Sequence, residues 1–137
     1  MKALSIRQPW AFFILEGEPL KDYENRDWTE EYARAQLNRC SVGSDFLIHA
    51  SKRMTAKEYD DAIKFAATHC GAVRLPAFAS LKRGGIVGGA RLVAVVRKST
   101  SPWFTGPLAL RLEKPYTLPF KPLAGQLGFF EAGELYG

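Results

Sequence analysis

Lys21-Asp22-Tyr23-Glu24-Asn25-Arg26-Asp27-Trp28 packs two cations, three carboxylates, an amide and two aromatic rings into eight consecutive residues. A lysine and a glutamate three apart can exchange a proton, and an arginine beside them can hold a phosphate or a developing oxyanion. An amide can pair with a base edge, and an indole can stack on a base. On an extended backbone Lys21, Tyr23 and Asn25 share one face, and Glu24 and Arg26 share the other. The stretch reads either as the wall of a site or as a solvated edge strand whose charges pair. These eight residues alone leave both readings open.

The elements that must position this stretch are legible in outline. Ala3 to Ile6 alternates as a short first strand, and Pro9 suits the first position of a helix. Trp10, Phe13 and Ile14 recur at helical spacing until Gly17, so Trp10 reads as the core anchor of that helix. Arg7 and Gln8 stand at the strand-to-helix junction and are stronger site candidates. Lys21 to Trp28 is expected as the second strand, and Glu30 to Leu37 as a short helix in an irregular segment.

Asp45 to Ala50 reads as a buried strand, with His49 a satisfied core residue and Ser51 and Lys52 exposed at its exit to hold an anion. Thr55-Ala56-Lys57-Glu58 is a capping box that opens a structural helix closed by Gly71. Ile86 to Val96 is a long strand with paired glycines that mark bends. Ser101 to Pro107 reads as a loop presenting Trp103 and Phe104, Leu108 to Leu112 alternates, Pro115 to Pro122 is expected as another loop, and Leu127 to Phe130 as a closing strand. Five or six strands, two helices and no αβαβ alternation predict an α+β fold, a small, strongly bent mixed sheet or barrel with peripheral helices.

The 137 residues are one domain by size, 47% apolar and 24% charged. No run of eighteen apolar residues is present, and Trp10 to Leu15 is too short for a signal-peptide core, so cytoplasm is the expected compartment and no membrane is expected. Cys40 and Cys70 form no CxxC and read as two reduced thiols. Together with His49 and His69 they match no zinc spacing, so neither metal nor cofactor is predicted. Nineteen Lys and Arg against fourteen Asp and Glu give +5, consistent with a polyanion partner that the fold, rather than a basic tail, must recognise.

Six ordered segments resemble an ASCH domain nearly from end to end. They are Ser5 to Ala11, Glu24 to Trp28, Ile48 to Lys52, Arg83 to Gly88, Ser101 to Pro107, and Leu118-Pro119-Phe120 through Gly128-Phe129-Phe130. The resemblance implies a PUA-like pseudo-barrel, a superfamily associated with RNA, in which some ASCH proteins are ribonucleases and others amidohydrolases of N4-acylated cytidines. The family's GxKxxE motif is matched by Lys21 and Glu24, but Gly17 stands four residues before Lys21 instead of two. Gly106-Pro107-Leu108-Ala109 replaces the Gly-Pro-Tyr-Gly run of close relatives.

Three functions follow as expectations. In the first, a basic cleft binds RNA or a modified nucleotide. Arg7, Lys21, Arg26 and Lys52 neutralise phosphate, Trp28 or Trp103 stacks on a base, and Gln8 and Asn25 read base edges. Ser5, Trp10 and Ser51 complete the ligand-facing set. In the second, the cleft is a hydrolase with Lys21 as base, Glu24 as proton shuttle and Arg26 as oxyanion stabiliser. In the third, the cleft is inert and the domain is an interaction adaptor. No obligatory protein partner is implied.

Overall fold

The computed structural model describes residues 1–134, so the last three residues of the expected single domain lie outside the described residues. Its elements run β1 (Lys2–Ile6), α1 (Trp10–Glu16), β2 (Tyr23–Arg26), α2 (Glu30–Arg39), β3 (Asp45–Ala50), α3 (Ala56–His69), a 3-10 turn (Phe78–Ser80), β4 (Gly85–Val96), β5 (Leu108–Pro122) and β6 (Phe129–Glu131). The six strands form one sheet in the order β2-β5-β4-β3-β1-β6. β1 and β3 are parallel, and the other neighbours are antiparallel.

That sheet is curled. β2 stands four places from β1 in the strand order, yet Arg26 Nη2 donates to the Ser5 carbonyl oxygen at 2.7 Å. Trp28, just past β2, meets Phe129 of β6 with ring centroids 6.2 Å apart. A flat sheet cannot make either contact. The inside of the curl is the main core, where Leu4, Ile6, Phe46, Ile48, Leu92, Leu110 and Phe129 are buried together. Period-two alternation sends Ala3 and Leu47 to the other face, with Ile86 and Phe130. α1 packs on the main core through Ala11 and Ile14, and α2 through Ala33. α3 lies farther out and meets α1 through Ala66, Phe13 and Trp103. The fold is therefore mixed α+β, a partial barrel with helices around it.

Several expectations need correction. The second strand is only Tyr23–Arg26, shorter than Lys21 to Trp28. The stretch from Pro115 to Pro122 is not a loop but the second half of the fifteen-residue β5. Tyr116, Leu118 and Phe120 there are half-buried and alternate with exposed Thr117, Pro119 and Lys121. Prolines are tolerated because β2 pairs only with Leu108 to Arg111, leaving the rest of β5 with β4 as its one ladder neighbour.

Close backbone approach explains the glycines of β4. Gly88 pairs with Ile48 on one side and Thr117 on the other, and a Cβ there would fall against the Tyr116 carbonyl oxygen and the Leu15 methyls. Gly88→Ala is expected to lower stability by about 1–3 kcal/mol, read from urea unfolding midpoints. An unchanged midpoint would refute this packing.

Candidate functional site

Lys21 reaches the site from outside the strand. The Gly17 and Lys21 amides both donate to the Phe13 carbonyl oxygen, at 3.2 and 2.9 Å, wrapping residues 17–21 around the end of α1. A side chain at Gly17 would collide with that oxygen. Freed from the strand's alternation, Lys21 turns onto the same side as Glu24. Its Nζ donates to the Tyr23 carbonyl oxygen and to Glu24 Oε1 at 3.4 Å, and lies 5.6 Å from the Trp10 ring centroid. The other Glu24 oxygen is ion-paired with Arg26 Nη2 at 3.0 Å. The expected opposition of Lys21 and Glu24 across a strand is thus removed, and Lys21, Glu24 and Arg26 form one chain of charges.

This chain is largely dry. Lys21 is 4% exposed and Glu24 8%. Burial pushes the Lys21 ammonium below the usual lysine value of 10.5, and the Glu24 carboxylate offsets part of that shift. Arg26 Nε is buried with no hydrogen-bond partner among the described residues.

Above Lys21 and Glu24 opens a cleft of about 490 Å³, walled by Arg7, Gln8, Trp10, Asn25 and Trp103 on one side and by Glu58, Asp61, Ala62 and Phe65 of α3 on the other. A second hollow of about 470 Å³ shares Arg7, Trp10, Glu24 and Asn25 with it and continues past Arg26 and Ser51 to Gln126 and Leu127. Ser5, Ser51, Gln126 and Leu127 in turn border a third hollow of about 720 Å³ that also holds His49 and Lys52.

The cleft differs from the basic groove the sequence suggests. Arg7 is ion-paired with Glu58, whose carboxyl it holds below the usual range, and Lys21 and Arg26 share Glu24. Each of these three cations contacts a carboxylate, with Glu24 shared between two of them. Lys52 is exposed and stands in the third hollow with Ser51, apart from Lys21.

Both amides are committed to backbone. Gln8 Nε2 donates to the Lys82 carbonyl oxygen, and Gln8 Oε1 accepts from the Phe12 amide at the start of α1, 2.9 Å each. Asn25 Nδ2 donates to the Trp103 carbonyl oxygen at 3.0 Å, while Oδ1 accepts from the Thr105 and Gly106 amides at 2.9 and 3.1 Å. Gln8 and Asn25 therefore position the walls, each spending one of its two amide N–H donors on backbone.

The aromatic assignments also change. Trp103 is 2% exposed against Phe13, so it is floor and offers no free face for stacking. Trp28 lies outside the two hollows around Glu24, half-buried between Tyr32 and Phe129 with Arg26 over its ring. Trp10, read from its spacing as a core anchor, is half-buried and lines both hollows, edge-on to Phe65. It is the ring best placed to meet a ligand.

The α3 wall was missed because the capping box and alanine stripe mark that helix as structural. The box is real, with Thr55 and Glu58 exchanging hydrogen bonds. Yet Glu58, Asp61, Ala62 and Phe65 fall at i, i+3, i+4 and i+7, a single helical face that the spacing already contained. His49 conforms to expectation, with both ring nitrogens partnered.

Neither protein-family models nor curated proteins give a match to this chain. The chemistry open to the site follows from its own geometry.

The Lys21 shift has a defined sign. Between the folded value and 10.5 the unfolded chain holds a proton that the folded chain lacks, so stability rises with pH across that window. Below the folded value the penalty is fully present. Urea midpoints of the wild type should climb on the alkaline side relative to those of Lys21→Met. Parallel profiles for the two proteins would contradict a desolvated Lys21.

Proposed function

We propose that this chain is an ASCH-domain protein of the PUA-like type, whose cleft binds a nucleoside or nucleotide, free or at an unstacked position of RNA. The observation that carries the reading is the buried Lys21–Glu24 pair beneath the Trp10 ring in a cleft of about 490 Å³. Ligand pockets of about 300–1,000 Å³ that combine aromatic walls with a few convergent polar groups suit one small molecule. Trp10 and Phe65 supply ring surface for a base, and Lys21 and Glu24 offer a donor and an acceptor to its edge. Because Arg7 is paired with Glu58, and Lys21 and Arg26 both lean on Glu24, recognition falls more on the base and sugar than on phosphate charge. The free cysteines Cys40 and Cys70 accord with a reducing compartment, and cytoplasm is the location this reading carries.

Hydrolysis at the same place is the second reading, and the depressed Lys21 pKa favours it. A neutral Lys21 amine takes the proton of a water that attacks the acyl carbon of an N4-acylated cytosine. Glu24 relays a proton to the departing exocyclic N4 amine, and Arg26 steadies the oxyanion. The same groups would serve in-line cleavage of RNA, with Lys21 steadying the phosphorane.

The protein is to be titrated with cytidine, N4-acetylcytidine and a short single-stranded RNA, following tryptophan fluorescence and chromatographing the products. Saturable nucleoside binding is expected, weakened about tenfold or more by Trp10→Ala, in line with about 1–3 kcal/mol for base–aromatic stacking. Release of cytidine from N4-acetylcytidine, lost in Lys21→Ala, would establish the hydrolytic reading. Absence of both binding and turnover with all three ligands would refute the proposal.

A further inference from the structure

On the far side of Ser5 from the Arg26 contact, the third hollow contains a second set of groups arranged for nucleophilic chemistry. Ser5 and His49 are register partners on the parallel strands β1 and β3, so their side chains leave the same face of the sheet. Ser5 Oγ lies 2.9 Å from His49 Nδ1, and His49 Nε2 lies 2.6 Å from the Leu123 carbonyl oxygen. A carbonyl oxygen only accepts, so Nε2 carries the ring proton. In the neutral ring Nδ1 is then the lone pair that receives the Ser5 hydroxyl hydrogen. This is the order of groups an activated serine requires: nucleophile, base, and an orienter that fixes the base's tautomer.

The surroundings hold the pair in place and leave it open. His49 is 2% exposed and packs edge-on against Phe130, with ring centroids 5.9 Å apart. Ser5 is half-buried and borders both the second and third hollows. Gly125 faces the pair directly: a Cβ there would stand 2.7 Å from Ser5 Oγ and 2.8 Å from His49 Cε1. Any other residue at 125 would cap the hydroxyl. Lys52 lines the same hollow and puts a cation beside it.

We propose that Ser5, with His49 as its base, is a second nucleophilic site that accepts acyl groups from small carboxylic esters in the hollow bordered by Ser51, Lys52 and Gly125. Ser5 Oγ bonds to the ester carbonyl carbon while its proton passes to His49 Nδ1. The carbon–oxygen bond to the alcohol breaks, and the departing alkoxide takes the proton from Nδ1. Water then attacks the acyl-serine, giving a proton to Nδ1 that returns to Ser5 Oγ as the carboxylic acid leaves. This site is independent of Lys21.

A fluorophosphonate probe tests it, because attack by Ser5 Oγ forms an oxygen–phosphorus bond and expels fluoride. Trypsin releases Ala3-Leu4-Ser5-Ile6-Arg7, in which Ser5 is the sole hydroxyl, so the adduct is located by mass. Wild-type protein should gain one adduct on that peptide, and Ser5→Ala should gain none. His49→Gln should slow labelling about a hundredfold or more, the lower range for a general base. Labelling that persists in Ser5→Ala, or no adduct on folded wild-type protein, overturns the proposal. Should His49→Gln fail to fold, Ser5→Cys decides, since a thiol beside the imidazole ionises readily. The introduced thiol must then be alkylated by iodoacetamide at pH 6 about tenfold faster than the free thiol of N-acetylcysteine, and an equal or slower rate would overturn the assignment.

Discussion

Arg26 closes this molecule. One guanidinium nitrogen donates to the Ser5 carbonyl oxygen of β1 and is ion-paired with the Glu24 carboxylate of its own strand β2, and so ties together two strands that stand four places apart in the sheet. The curl that brings them together also gathers the site. β1 leads into Arg7, Gln8 and Trp10, and β2 brings Glu24 and Asn25, while residues 17–21 deliver Lys21 from the end of α1. That closure brings Arg7, Gln8, Trp10, Glu24 and Asn25 to one cleft, which α3 faces. A charged bond largely hidden from water is costly unless its partners are good, and here the carboxylate and the carbonyl compensate the guanidinium together.

Lys21 carries the opposite balance. Its ammonium is taken out of water for one carbonyl, one carboxylate at 3.4 Å and the face of an indole, and the net effect still disfavours its charge. A hydrophobic residue of similar length would fill that space with less penalty. An unfavourable charge held in place at the floor of a cleft is characteristic of functional sites, which is why the functional reading centres on it. The walls around it are fixed by the two amides: Gln8 holds the start of α1 to Lys82, and Asn25 holds residues 103–106.

Local signals in the sequence located much of this. Alternation located β1 to within one residue, the apolar run of Asp45 to Ala50 marked β3, the Thr55 capping box opened α3 where the structure has it, and the dense Lys21 to Trp28 stretch does supply the floor of the cleft. What stayed hidden is set by tertiary geometry. No local pattern says that Arg7 will meet Glu58 fifty-one residues later, so the cleft looked basic when its cations are paired. Strand alternation separated Lys21 from Glu24 because it could not foresee the turn onto Phe13 that keeps Lys21 out of the strand. The prolines of 115–122 masked the half-buried Tyr116, Leu118 and Phe120 of a strand with one ladder neighbour. Trp103, expected in a loop, and Trp28, expected at a strand end, looked alike as stacking candidates, and only packing distinguishes them from Trp10, which faces the cleft.

On the proposed reading, one nucleoside sits in the cleft that Trp10 and the Lys21–Glu24 pair line. A ¹H–¹⁵N correlation spectrum of the labelled protein during titration with cytidine would detect it there residue by residue. Saturable shifts are predicted for the Trp10 indole N–H, the Asn25 side-chain amide and the backbone amides of Lys21 and Glu24, with Trp28 little changed. Shifts confined to the exposed Lys52, Arg53 and Lys82 surface, or no saturable shifts at all, would contradict that placement.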